Sequence, residues 1–166
     1  MEHHRQFGRW LEEFTVGDVY HPGVGRTITE HDETWFSLMT MNHNPGHIDA
    51  AASEAMHFGK RVVNGTFVLA IGVGLTAADL TGKAKANIGF DKVVHTGPTF
   101  PGDTLYARTT ILDVQRSATK PDRGVVVSAT EVYNQNDVVV LRYERTILVG
   151  SQPVLDSEPG LEQAQR

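Results

Sequence analysis

The chain of 166 residues carries a formal charge of −5 and contains no cysteine. Its length fits one domain that buries about 70% of its unfolded surface, no long Lys/Arg cluster marks a nucleic-acid binder, and no apolar run reaches the roughly 18–20 residues of a membrane span. Disulfide and thiolate chemistry are excluded, and Met1-Glu2-His3-His4-Arg5 has no apolar stretch behind it to act as a secretory signal, so a cytoplasmic protein is expected.

Residues 1–9 read as a loose lead-in, and residues 10–150 as the domain. Phe14 to Tyr20 is a short extended arm closed by His21-Pro22-Gly23, and Arg26 to Ile28 continues it. Thr29-x-x-Asp32 has the form of a capping box, and Trp35, Leu38 and Met39 follow at helical spacing. That helix must end before Asn44-Pro45, because the residue before a proline disfavours the helical conformation. Pro45 and Gly46 are expected to break regular helix and form a tight turn. Ile48 to Phe58 reads as an Ala-rich helix stopped at Gly59. Residues 66–80 form a central helix; Phe67, Val68, Leu69, Ile71, Val73 and Leu75 leave it no polar face, so it should be buried, with Gly72 and Gly74 permitting a close sheet. Strands follow over Ala86–Val94, Asp103–Val114, Gly124–Tyr133 and Val138–Val149, the last two joined by the turn Asn134-Gln135-Asn136-Asp137. The corner His95-Thr96-Gly97-Pro98 and the turn Pro101-Gly102-Asp103 read as structure. The segment 151–166, with Pro153, Pro159 and Gly160, is expected to be a flexible tail.

Two stretches carry chemistry. Asn42-His43-Asn44-Pro45-Gly46-His47 gathers groups that hold or move protons at the end of an apolar helix. Asn64-Gly65-Thr66 opens the central helix, where unpaired N–H groups and the helix dipole favour an anion. Gly65 also lets a ligand approach the backbone. Alone, each has a structural reading: His47 caps a short helix, and Asn64-Gly65 is a turn with its N-cap. His43 and His47 stand at i, i+4, a zinc-pair spacing on a helix, but Pro45 and Gly46 intervene and no third ligand is near in sequence, so no metal is expected.

The first stretch resembles the motif Asp-x-Asn-Pro-x-His of the MaoC-like (R)-specific enoyl-CoA hydratases, with Asn44, Pro45 and His47 matching and Asn42 in the acidic position. The resemblance spans roughly residues 10–149 and includes Phe14-x-Val16-Gly17-Asp18, Asn64-Gly65 and Phe100-Pro101-Gly102-Asp103-Thr104-Leu105. It implies an α+β hot dog fold, a long antiparallel sheet around a buried helix, with open edges that pair in a homodimer. It also implies hydration or dehydration of a 2-enoyl-CoA thioester, with coenzyme A supplied as part of the substrate and no separate cofactor. His47 then moves protons, Gly65 holds the enolate oxygen, Asn42 and Asn44 orient water, and Asn64 and Thr66 contact substrate. Because an amide is no base at neutral pH, three outcomes stay open at Asn42. His47 carries both proton steps, His43 or Asp49 supplies the missing group, or acyl-CoA is bound without being hydrated. Arg61 is placed to pair with an acyl carboxylate, in keeping with a likeness to the itaconyl- and mesaconyl-CoA branch; its alternative is a solvated arginine. Lys83, Lys85 and Lys92 either meet CoA phosphates or are solvated. The competing activity is a hot dog thioesterase, which would use the same helix start on a tetrahedral oxyanion.

Overall fold

A computed structural model describes residues 6–153. The elements run β1 (Val19–Tyr20), β2 (Arg26–Thr27), α1 (Glu30–Met39), α2 (Pro45–Ile48), α3 (Ala50–Glu54), α4 (Gly65–Leu75), β3 (Ala84–His95), β4 (Thr104–Arg116), β5 (Arg123–Tyr133) and β6 (Val139–Gly150). The strands form one antiparallel sheet in the order β1-β4-β5-β6-β3, with β2 also on β4. α4 lies across it in the hot dog arrangement. Its Val68 packs with Leu105, Val132, Val140, Leu141 and Tyr143. A second cluster, built on Leu11, Phe14, Leu80, Ile111 and Val126, fills the other end of the sheet.

The long strands form where branched and aromatic residues alternate, and β5 shows the pattern most plainly: Gly124, Val126, Ser128, Thr130 and Val132 are buried while their neighbours are half-exposed. Asn134 closes the β5–β6 hairpin by accepting from the N–H groups of Asn136 and Val138. The arm at 14–20 is strand only at Val19–Tyr20, and Phe14 is a core residue instead. The expected lead-in is tied down where it is described: the Gly8 N–H donates to Ala78 at 2.6 Å, and the Arg9 guanidinium sits over the Tyr20 ring. The His3-His4 pair and most of the expected tail lie outside the described residues.

α4 is shorter than expected, because after Leu75 the chain changes to a π turn at Ala77–Thr81. Nor is α4 covered all round, since Thr66, Ala70 and Gly74 form an exposed stripe one turn apart. Gly72 is the point of closest approach to the sheet: a Cβ there would fall 2.6 Å from Val132 Cγ2 and 3.3 Å from Tyr143 Cε1. Gly72→Ala should therefore lose about 1–3 kcal/mol of stability by overpacking, despite alanine's better helix propensity, and urea denaturation checks this. Gly74 faces open space, so the close-approach role falls to Gly72 alone.

The capping box at α1 is complete. Thr29 Oγ1 accepts from the Asp32 N–H at 3.1 Å, and Asp32 Oδ2 accepts from the Thr29 N–H at 2.8 Å. That backbone bond, more than the nearby Arg26, holds the Asp32 carboxyl below the usual carboxylate range. A carboxyl lowered in this way adds stability that is complete above its unfolded value and vanishes as the pH falls through its folded one. The denaturant-midpoint gap between the native chain and Asp32→Asn should thus be full near pH 6 and shrink below about pH 4.

The burial of α1 reverses its apolar pattern. Trp35, Leu38 and Met39 are 58%, 47% and 62% exposed, whereas Glu33 and Ser37 are fully buried. The helical spacing is real, but that stripe faces outward, and Trp35 stacks on His31 rather than joining the core. Phe36 provides the apolar link inward, stacked on Phe67 of α4 with ring centroids 4.6 Å apart.

Candidate active site

The turn at 44–48 is helical rather than broken. Pro45 occupies the first position of α2, where its missing N–H costs nothing and its fixed φ suits a helix. Asn44 caps that turn, its Oδ1 accepting from the Gly46 N–H at 2.9 Å. Asp49 caps α3 by accepting from the Ala52 N–H at 3.0 Å, so its carboxylate already has a structural task. His43 is exposed.

This geometry aims His47. Its Nδ1 lies 2.8 Å from the Val62 carbonyl oxygen. A carbonyl only accepts, so Nδ1 carries the proton, and Nε2 keeps the lone pair for chemistry. Asn64 caps α4, its Oδ1 accepting from the Thr66 N–H at 3.0 Å and from the Thr66 hydroxyl at 2.7 Å. The N–H groups of Phe67 and Val68 both donate to the Asn64 carbonyl. Within the first turn, the Gly65 N–H is left with no acceptor among the described residues. The buried Asn64 Nδ2 also has no partner there.

His47 and Gly65 line one cleft of about 420 Å³, with Phe58, Val62, Val63 and Val68 as apolar wall. Its far side is the segment His95–Thr99, which the sequence presented as a plain corner. His95 Nε2 would stand 2.9 Å from a Cβ on Gly65, so the glycine makes room for that ring. His95 is thus a second imidazole in the cleft. No sequence pattern marks it, because a sheet edge rather than local spacing brings it there.

The other expected site residues are arranged differently. Asn42 and Asn44 do not line this cleft; the Asn42 side chain accepts from the Asn44 N–H at 3.4 Å. Arg61 lines a separate groove, where Glu30 meets its guanidinium at 2.6 Å. Lys85 pairs with Asp122 at 2.6 Å, and the Lys83 ammonium sits 4.5 Å from the centre of the Trp10 ring. Both lysines flank the start of β3 while His95 ends it, about 30 Å along the strand. Lys92 pairs with Glu144 at 2.7 Å. It belongs to a larger groove of about 540 Å³ that also holds Arg108, Glu131 and Arg142. There the charges satisfy one another, Glu131 bonding Arg142 at 2.8 Å and Arg108 at 2.7 Å, and Arg142 first, then Arg108, hold its carboxyl below the usual range. In that groove the charges are paired, whereas in the smaller cleft His47 Nε2 and the Gly65 N–H have no partner among the described residues.

One residue behind the cleft carried no sequence signal at all. Glu33, buried on α1, accepts from the Ser37 hydroxyl at 3.0 Å through Oε1 and from the Asn64 N–H at 3.0 Å through Oε2. Its Oε1 also stands 3.5 Å from His47 Nδ1.

A sheet folded on one helix, with an imidazole and the N–H that starts that helix lining one cleft, defines a hot dog domain. The chain belongs to the MaoC-like dehydratase family, whose MaoC like domain matches residues 13–133. Mesaconyl-CoA hydratase of Haloarcula marismortui is 28% identical over 146 residues, covering 87% of this chain and 41% of that protein. The crystal structure of a MaoC-like dehydratase from Rhodospirillum rubrum superposes with a TM-score of 0.79 at 27% identity, covering 89% of this chain and 100% of that one. A double hot dog protein of Mycobacterium tuberculosis, 21% identical with a TM-score of 0.76, shares the fold over 92% of this chain and 47% of its own. The chain spans about two-fifths (41%) of the length of the first mesaconyl-CoA hydratase it matches.

Proposed function

We propose that this chain adds water to, or removes it from, a 2-enoyl-CoA thioester. The observation that carries the reading is the shared cleft of His47 and Gly65. In the hydration direction, water oxygen attacks Cβ while His47 Nε2 takes the water proton. The electron pair of the double bond moves onto the thioester carbonyl oxygen, where the Gly65 N–H meets the developing charge. The enolate then collapses, and the proton held by His47 passes to Cα, leaving the 3-hydroxyacyl thioester. One imidazole serves both proton steps in turn, which suits a site with asparagine at position 42. Asn64 and Thr66 are assigned contact with the thioester, which Asn64 Nδ2, without a partner among the described residues, supports; Asn42 and Asn44 lie outside the cleft lining and act on water only from beyond it. The chemistry needs no metal or redox group.

For the acyl group we propose a short branched or dicarboxylic chain, on the likeness to mesaconyl-CoA hydratase. Arg61 reads a carboxylate in such a chain only by exchanging Glu30 for it. We also infer a homodimer. β3 pairs with β6 on one side alone, and its free edge exposes Ile88, Val93 and Val94 at 56%, 40% and 52%, a pattern that invites a second strand. Light scattering should return twice the chain mass.

The test is a panel of crotonyl-CoA and mesaconyl-CoA, with enoyl absorbance and free thiol followed together. Absorbance lost without thiol supports the hydratase. Thiol release identifies a thioesterase, and binding with neither signal a non-catalytic acyl-CoA protein.

A further inference from the structure

We infer that Glu33 is a positioning residue whose buried charge acts through His47, supplying from behind the ring a carboxylate that Asn42 cannot supply. The inference deepens the hydratase reading and rests on it.

Glu33 is fully buried, and both its oxygens are occupied: Ser37 and the Asn64 N–H donate to it, and His47 Nδ1 is 3.5 Å away. A buried carboxylate is costly to keep, and here it takes the inward face of a helix whose Trp35, Leu38 and Met39 are exposed. Its placement explains the cost. One oxygen faces the imidazole that must become positive during the reaction, and the other holds the backbone immediately before Gly65. The carboxylate therefore fixes the spacing of base and oxyanion donor, and it stabilises the imidazolium that forms when Nε2 takes a proton. The Val62 carbonyl holds the tautomer, and a carboxylate behind a catalytic imidazole stabilises the cation without itself gaining a proton. The other ionisable groups around His47 do not duplicate this. His95 faces it across the cleft, His43 is exposed on its own loop, Asp49 caps α3, and Arg61 is paired to Glu30.

Glu33→Gln keeps the shape and an acceptor for the Asn64 N–H but removes the charge. We expect kcat to fall at least about tenfold with KM changed less than about threefold, because Glu33 does not touch substrate. The acid limb of the kcat/KM profile should move toward acid, since a cation beside position 33 loses its counter-charge. The His47 ring resonances, identified by their loss in His47→Gln, should move with it in an NMR titration. A rate loss with limb and titration unmoved would overturn the inference and leave Glu33 a structural anchor. Should Glu33→Gln not fold, Glu33→Asp still decides: it keeps the charge but withdraws it by one methylene, and an acid limb and ring titration left at the native position overturn the inference. The NMR arms need no turnover, so a protein inactive on every enoyl-CoA would end the hydratase reading while the Glu33–His47 pairing was still being measured.

Discussion

His47→Ala should lower kcat/KM for enoyl-CoA hydration by at least about 100-fold, the scale of a positioned general acid–base group. No other group described in the cleft stands ready to take over. His95 shares the cavity, but His47 has its Nδ1 fixed on Val62 and a carboxylate behind it. The substitution also removes a donor from the Val62 carbonyl, worth about 1 kcal/mol, so circular dichroism and urea denaturation should accompany the kinetics. A folded variant that keeps most of its rate would remove His47 from the mechanism.

Gly65→Pro should cost about 100- to 1,000-fold in kcat relative to Gly65→Ala, the range for loss of one oxyanion donor. The geometry makes this a direct deletion of the N–H. Proline is favoured at the first helical position, and Asn64, at φ −56° and ψ 126°, already has the extended conformation required before proline. The lost donor has no acceptor within the described fold. Both variants place a Cβ against the His95 ring, so alanine reports that crowding and the difference between the two reports the N–H. Equal rates for the pair would mean that Gly65 serves only to make room.

Most of the fold could be read because its signals are local. Thr29 and Asp32 spell a cap, the alternating β5 spells a strand, and the apolar run at 67–75 spells a central helix. Proline misled in one place: within Asn42–His47 it reads as a breaker, yet at the first position of α2 it starts a turn that Asn44 caps. The site could be read only where a motif is contiguous, as at Asn64-Gly65 and around His47. Glu33 could not be found, since apolar periodicity in α1 marks Trp35, Leu38 and Met39, while the buried face is Glu33 and Ser37. Burial of that acid follows from partners 14 and 31 residues away, His47 and Asn64. His95 was hidden for the same reason, brought beside Gly65 by the long return of β3 along β6. Lys83 and Lys85 show the converse: charges close to the central helix in sequence that the sheet carries to its opposite end.

The most direct test is a crystal structure with a 3-hydroxyacyl-CoA product bound. The account expects the thioester carbonyl oxygen at about 2.9 Å from the Gly65 nitrogen, and the 3-hydroxyl within about 3.2 Å of His47 Nε2. A thioester seated elsewhere, for instance in the charged groove of Arg108 and Arg142, with neither group in contact, would contradict it.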